Sequence, residues 1–158
     1  MSRVEQRLSE LGIELAQPVA PLAAYVPAVL DGDRVWVSGQ LPLVGGELLA
    51  KGLVGNGPGS VSVERACELA RQCAINGLAA LRSVVGDLDR VVRVVKVVGY
   101  VVGEPGFTGQ PAVIDGASKL LQEVFQDAGR HARSAVGVAG LPLGSPVEVE
   151  LVFSVSPA

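Results

Sequence analysis

Val91 to Val102 reads VVRVVKVVGYVV, valine at all but four of its positions. Such a density of β-branched side chains favours a strand over a helix. On simple alternation Val92, Val94, Val98, Tyr100 and Val102 line one face, and Val91, Val95, Val97 and Val101 the other. A strand apolar on both faces belongs in the middle of a sheet, with cover on both sides. Arg93 and Lys96 interrupt the run, and it is too short to span a bilayer, so no membrane association is expected.

The rest of the chain supplies only two long helical patterns to provide that cover. Ser62 caps the first, in which Cys67, Ala70, Ala74, Leu78, Leu81 and Val85 form one stripe and Gly86-Asp87 ends it. Gly77 inside this helix costs about 1 kcal/mol against alanine, which a close helix–sheet contact would justify. The second, Pro111 to Asp127, turns Ile114, Ala117, Leu120, Leu121, Val124 and Phe125 to one side. Two helices cover one face of a sheet. The other face is left to another protein surface, so an oligomer is expected.

Around these elements the remaining pieces fall into order. Ser2 and Glu5 make a capping box for a short amphipathic helix at about residues 2–12, with Val4, Leu8 and Leu11 as its stripe and Gly12 as its stop. Gln17 to Ala24, with Pro18 and Pro21, reads as extended linker. Tyr25–Leu30 and Arg34–Gln40 read as strands around the hairpin signal Asp31-Gly32-Asp33. Leu41 to Gly59 is glycine-rich, with one short strand near Leu48. No Gly-Lys-Ser/Thr follows, so this is a surface loop and not a phosphate cradle. The order predicts an α+β fold, residues 1–158 as one domain, with a mixed, mainly antiparallel sheet and both long helices on one face.

Two late strands carry the chemistry. His131 to Ala139 and Pro146 to Phe153 flank a Gly140–Ser145 loop rich in glycine, proline and serine. In the second, Val147, Val149, Leu151, Phe153 and Val155 face the core, while Glu148, Glu150, Val152 and Ser154 face away. A strand partner could bring Arg133 near the two glutamates. The arginine fork fits a carboxylate through two parallel hydrogen bonds. An ion pair with Glu148 or Glu150 is the structural alternative.

Composition narrows the function. The net charge of −3 gives no pull toward nucleic acid. Cys67 and Cys73, six apart in a helix, suit neither a disulfide nor a metal site, and with a single histidine no metal ligand set exists. His131, beside the arginine strand, reads as a loop residue and not as half of a Ser–His or Cys–His pair. No secretory signal is visible, so a cytoplasmic protein is expected.

Ala132-Arg133-Ser134-Ala135-Val136 ahead of Leu141-Pro142 and Val147-Glu148-Val149-Glu150, together with Ser38-Gly39-Gln40-Leu41-Pro42, resembles the reactive intermediate deaminase (Rid, or YjgF-like) family. The resemblance runs from about Tyr25 to Phe153, and the extra first helix points to a longer subgroup. It implies a chorismate-mutase-like α+β fold and a homotrimer with clefts between subunits. Arg133 would hold the substrate carboxylate, and Glu148 would orient or activate water. Tyr25 would rim the pocket, Gly39 would let backbone approach the ligand, and Glu150 matches a second acidic position. Ala135 stands where many deaminating members have cysteine. The family's helix asparagine has no clear counterpart, Asp115-Gly116 being nearest. The implied activity is cofactor-free hydrolysis of 2-aminoacrylate-like enamines and imines to 2-keto acids and ammonia. The alternative is a non-catalytic, carboxylate-binding or regulatory trimer. Family names also carry an endoribonuclease label, against which the acidic balance argues.

Overall fold

The computed structural model describes residues 2–18 and 24–157, so most of the expected linker lies outside the described residues. Helix α1 (Arg3–Glu10) carries the anticipated capping box, Ser2 with Glu5, and buries Val4 and Leu8. Its first turn is also held from far along the chain. The Asp89 carboxylate accepts the Arg3 and Val4 backbone N–H groups, each at 2.8 Å.

Strands β1 (Ala28–Asp31) and β2 (Arg34–Gln40) form the Asp-Gly hairpin, Gly32 taking the positive φ (60°) its turn requires. The first strand begins three residues later than expected: Tyr25 lies in an exposed bend before Pro27, which has no N–H to give a ladder. Strands β3 (Leu43–Val44) and β4 (Glu47–Leu48) pair as a separate small hairpin. Helix α2 (Val63–Val85), β5 (Val91–Val101), helix α3 (Gln110–Phe125), β6 (Ala132–Gly137) and β7 (Val147–Val155) follow.

The five long strands form one sheet in the order β1-β2-β7-β5-β6, antiparallel except for the β5–β6 pair. The two late strands are therefore not neighbours, because β5 lies between them. Helices α2 and α3 pack together on one face, over Val35, Val37, Val94, Val97, Val101, Leu151 and Phe153, all buried. Two glycines set the packing distances. A Cβ on Gly77 would stand 2.5 Å from Leu151 Cδ1, the close helix–sheet contact expected there, and a Cβ on Gly116 of α3 would overlap the Cys67 carbonyl of α2.

β5 is central, but simple alternation does not describe it. Bulges between Val91 and Arg93 and between Val94 and Lys96 insert a residue each time. Val91, Val94, Val97, Gly99 and Val101 are buried under the helices, while Lys96, Val98 and Tyr100 look out from the other face. Val94 and Val98, expected together, are on opposite faces. The outer face carries Trp36 and Val152 side by side, with Trp36 55% exposed. Among the described residues no segment covers it.

The glycine-rich loop is pinned. Val54 is fully buried and bridges to Val61 and Gly103. Just after β5, the Glu104 carboxylate accepts the Gly57 N–H (2.9 Å), the Asn56 N–H (3.3 Å) and the Ser60 hydroxyl. Cys73 is a buried free thiol and Cys67 a half-buried one. Among the described residues no helix is long and apolar enough to cross a membrane, and no cluster of His, Cys, Asp and Glu could hold a metal ion.

Candidate functional site

Arg133 sits on the sheet's edge strand, opposite Val97 of β5. Paired residues share a face, so its side chain rises on the helix side, toward the middle of α3. There Asp115 and Ser118, one turn apart, meet it. Arg133 Nη1 donates to Asp115 Oδ1 at 2.7 Å and to Ser118 Oγ at 3.3 Å. The alternative of an ion pair with Glu148 or Glu150 is not what forms; Arg133 pairs with Asp115 instead. Both hydrogens of Nη1 are engaged; among the described residues, Nε and Nη2 donate to nothing. The arginine is anchored by one nitrogen and offers the fork formed by the other two.

The Ser118 hydroxyl is buried and has a second partner. His131 Nε2 lies 2.9 Å from Ser118 Oγ, and His131 Nδ1 lies 2.7 Å from the Gly129 carbonyl. A carbonyl only accepts, so Nδ1 carries the proton and Nε2 receives the serine O–H. Burial, and after it the Arg133 charge, hold His131 below its ordinary pKa of 6.5, against the pull of the Gly129 carbonyl, which favours the proton. His131 thus lies in a loop, as expected, but half-buried and with both ring nitrogens engaged. Ala135 follows Arg133 on the same face, opposite Gly99, with its methyl against the core.

Glu148 belongs to a second group. It stands between the buried Val147 and Val149 on β7, opposite Tyr100, and so faces away from the helices. Its carboxylate rests against Gly39, in the irregular stretch of β2 between Val37 and Gln40; a Cβ on Gly39 would overlap it. Among the described residues nothing donates a hydrogen bond to Glu148. Burial first, and then the Glu150 charge, raise its pKa. Tyr100 is also raised, by burial and then by Glu150 and Glu148. The Tyr25 segment adjoins this group, since Ser38 Oγ donates to the Val26 carbonyl at 2.7 Å and Ser38 N to Pro27 at 2.9 Å.

The sequence-predicted residues thus form two sets. Gly39 and Glu148 meet on the β2–β7 side, Glu148 on the face away from the helices, and the exposed Tyr25 precedes the segment that Ser38 holds. Arg133 and Ala135 stand on the edge strand β6, on the helix face. A groove of about 490 Å³ between α2, the segment after α1 and the β3–β4 hairpin is lined by neither Arg133 nor Glu148. Asp115, Ser118 and His131 were missed as partners of the arginine. Their signal was the i, i+3 pair on α3 facing a strand that begins His-Ala-Arg.

A parallel edge strand after a helix and an otherwise antiparallel sheet with both helices on one face define the class of small YjgF-like α+β domains. The family model described as "YjgF/chorismate_mutase-like, putative endoribonuclease" matches residues 5–155, and the chain belongs to this family. It is 43% identical over 157 residues to protein TCP17 of Trypanosoma cruzi, covering 98% of this chain and 95% of that one. The crystal structure of Atu1372 from Agrobacterium tumefaciens, a protein of unknown function, matches at TM-score 0.86 and 41% identity, over 98% and 94% of the two chains. Escherichia coli TdcF, at 21% identity and TM-score 0.61 over 89% and 94%, shares the fold.

Proposed function

We propose that this protein hydrolyses small enamines and imines bearing a carboxylate, of the 2-aminoacrylate type, to 2-keto acids and ammonia. The observation that carries the reading is the Arg133 guanidinium, fixed at Nη1 by Asp115 and Ser118 with its Nε/Nη2 edge unspent. That edge fits the two oxygens of a carboxylate, and the anchoring removes orientational freedom before the ligand arrives.

In the reaction, an enamine first gains a proton at C3 and loses one from nitrogen to become the imine, and water then adds across the imine's C=N bond. A proton moves from the attacking water to nitrogen, and the tetrahedral carbinolamine then expels ammonia as the C=O forms. Glu148 is the base that holds and deprotonates the water; its half-buried, unpartnered carboxylate with a raised pKa supports that role. The chemistry needs neither cofactor nor metal.

Arg133 and Glu148 point to opposite faces of one sheet, so a site that uses both takes them from different copies. This geometry, with the uncovered Trp36–Val152 face, supports a homotrimer in which Tyr25, Gly39 and Glu148 of one subunit meet Arg133 and Ala135 of the next. A second reading is favoured by one observation. Ala135 puts a methyl where many deaminating members have a sulfur, which suits a carboxylate-binding trimer without turnover. The test is to generate 2-aminoacrylate enzymatically and follow keto-acid and ammonia release with and without the protein. No acceleration, alongside 2-oxobutanoate binding lost in Arg133→Ala, selects the second reading.

A further inference from the structure

We propose that Ser118 and His131 are positioning residues that keep the Arg133 fork open by stopping Asp115 from closing on it. The inference rests on the carboxylate-clamp reading of Arg133 given above.

The argument follows the hydrogens. A guanidinium beside a carboxylate tends to present two N–H groups to its two oxygens. If Asp115 took such a pair from Nη1 and Nη2, no complete Nε/Nη2 fork would remain for a ligand. In the structure only Oδ1 is used, and the second hydrogen of Nη1 goes instead to Ser118 Oγ. Ser118 accepts cleanly because its own proton is committed to His131 Nε2. Nε2 is free to accept because the Gly129 carbonyl fixes the histidine proton on Nδ1. The chain of donors therefore runs from Arg133 through Ser118 and His131 to a main-chain carbonyl, and every link has one available direction. Without the histidine acceptor, the serine proton turns to Asp115 or to solvent and competes with the arginine. Neither residue touches the place a ligand carboxylate would take.

The test measures 2-oxobutanoate binding by calorimetry, steady-state kinetics where turnover is present, and melting temperature, on wild type, Arg133→Ala, Ser118→Ala, Ser118→Thr and His131→Phe. The expected result is affinity weakened roughly tenfold in Ser118→Ala and His131→Phe, with KM raised and kcat nearly unchanged, because neither residue hydrogen-bonds Glu148, which holds the water. Ser118→Thr keeps the hydroxyl and should bind like wild type. In Ser118→Ala, the added change Asp115→Asn removes the second carboxylate oxygen and should restore part of the affinity. A merely structural serine gives no such rescue. If Ser118→Ala does not fold, His131→Phe carries the same prediction. Wild-type affinity in both variants, with Arg133→Ala still deficient, overturns the positioning roles alone. Binding unaffected by Arg133→Ala overturns the carboxylate clamp itself.

Discussion

Arg133 and Glu148 stand on opposite faces of the same sheet, with β5 between their strands. If a working cleft draws one from each of two copies, two dead variants should complement each other. Arg133→Ala and Glu148→Gln chains, each inactive alone, are unfolded together, refolded and assayed. In a random mixture about a quarter of clefts pair an intact arginine with an intact glutamate, so activity should recover toward that fraction. No recovery from a properly assembled mixture would mean that both residues act from one chain.

Gly39 has a narrow task that a single methyl can probe. Its φ is ordinary, so alanine fits the backbone, but its Cβ displaces the Glu148 carboxylate. The carboxylate is the end of a flexible side chain and can move. The melting temperature of Gly39→Ala should therefore stay within about 3 °C of wild type, the equivalent of ~1 kcal/mol, while kcat falls at least roughly tenfold. A large loss of stability with unchanged kcat would make Gly39 a folding residue only.

Gly116→Ala should behave in the reverse way. Its Cβ meets the Cys67 carbonyl, which is backbone and cannot step aside without separating α2 from α3. Overpacking of this kind costs about 1–3 kcal/mol or more, which for a domain this size lowers the melting temperature by about 3–10 °C. Gly77→Ala meets only a leucine methyl and regains helix propensity, so it should cost less. Thermal melts of the two variants side by side decide the order.

The raised pKa of Glu148 has a stability sign. A carboxyl whose folded pKa lies above its unfolded value of 4.5 favours folding below that value, and the benefit is lost as pH rises through the folded pKa. Glu148→Gln should thus be at least as stable as wild type at pH 7, with the advantage vanishing near pH 4. Activity should fall by about 10²-fold or more at pH 7. Melting temperatures across that range check the sign, and a variant destabilised only at neutral pH would refute it.

Glu104 carries the opposite sign. The Ser60 hydroxyl and then the Gly57 N–H lower its pKa below 4.5, so its contribution is present above that value and lost as pH falls through the folded pKa. Glu104→Gln should speed hydrogen exchange at Gly57 and Asn56 at pH 7 while leaving exchange in β5 unchanged. Equal protection in the variant would show that the loop holds itself.

The sequence offers candidate residues and hides their partners, for physical reasons. Arg133, Glu148 and Gly39 stand out as candidates because residue chemistry and motif spacing are local. Asp115 was not assigned to Arg133, because only the crossover through α3 brings that helix beside a parallel edge strand. β5 was legible as the central strand, but its faces were not. Two bulges make its first buried residues recur at 91, 94 and 97, a spacing of three that no period-2 reading recovers. His131 is the loop residue that it looked like, but nothing in the chain around it shows the Ser118 hydroxyl that it meets.

The capping of α1 by Asp89 has a consequence for the order of events in folding. Eight residues are too few to hold a helix in water unaided. The carboxylate that completes its first turn is separated from Arg3 by 86 positions. During synthesis the α1 segment must therefore wait for Asp89, just ahead of β5, before it settles. A stretch made well before its capping partner is among the last to find its place.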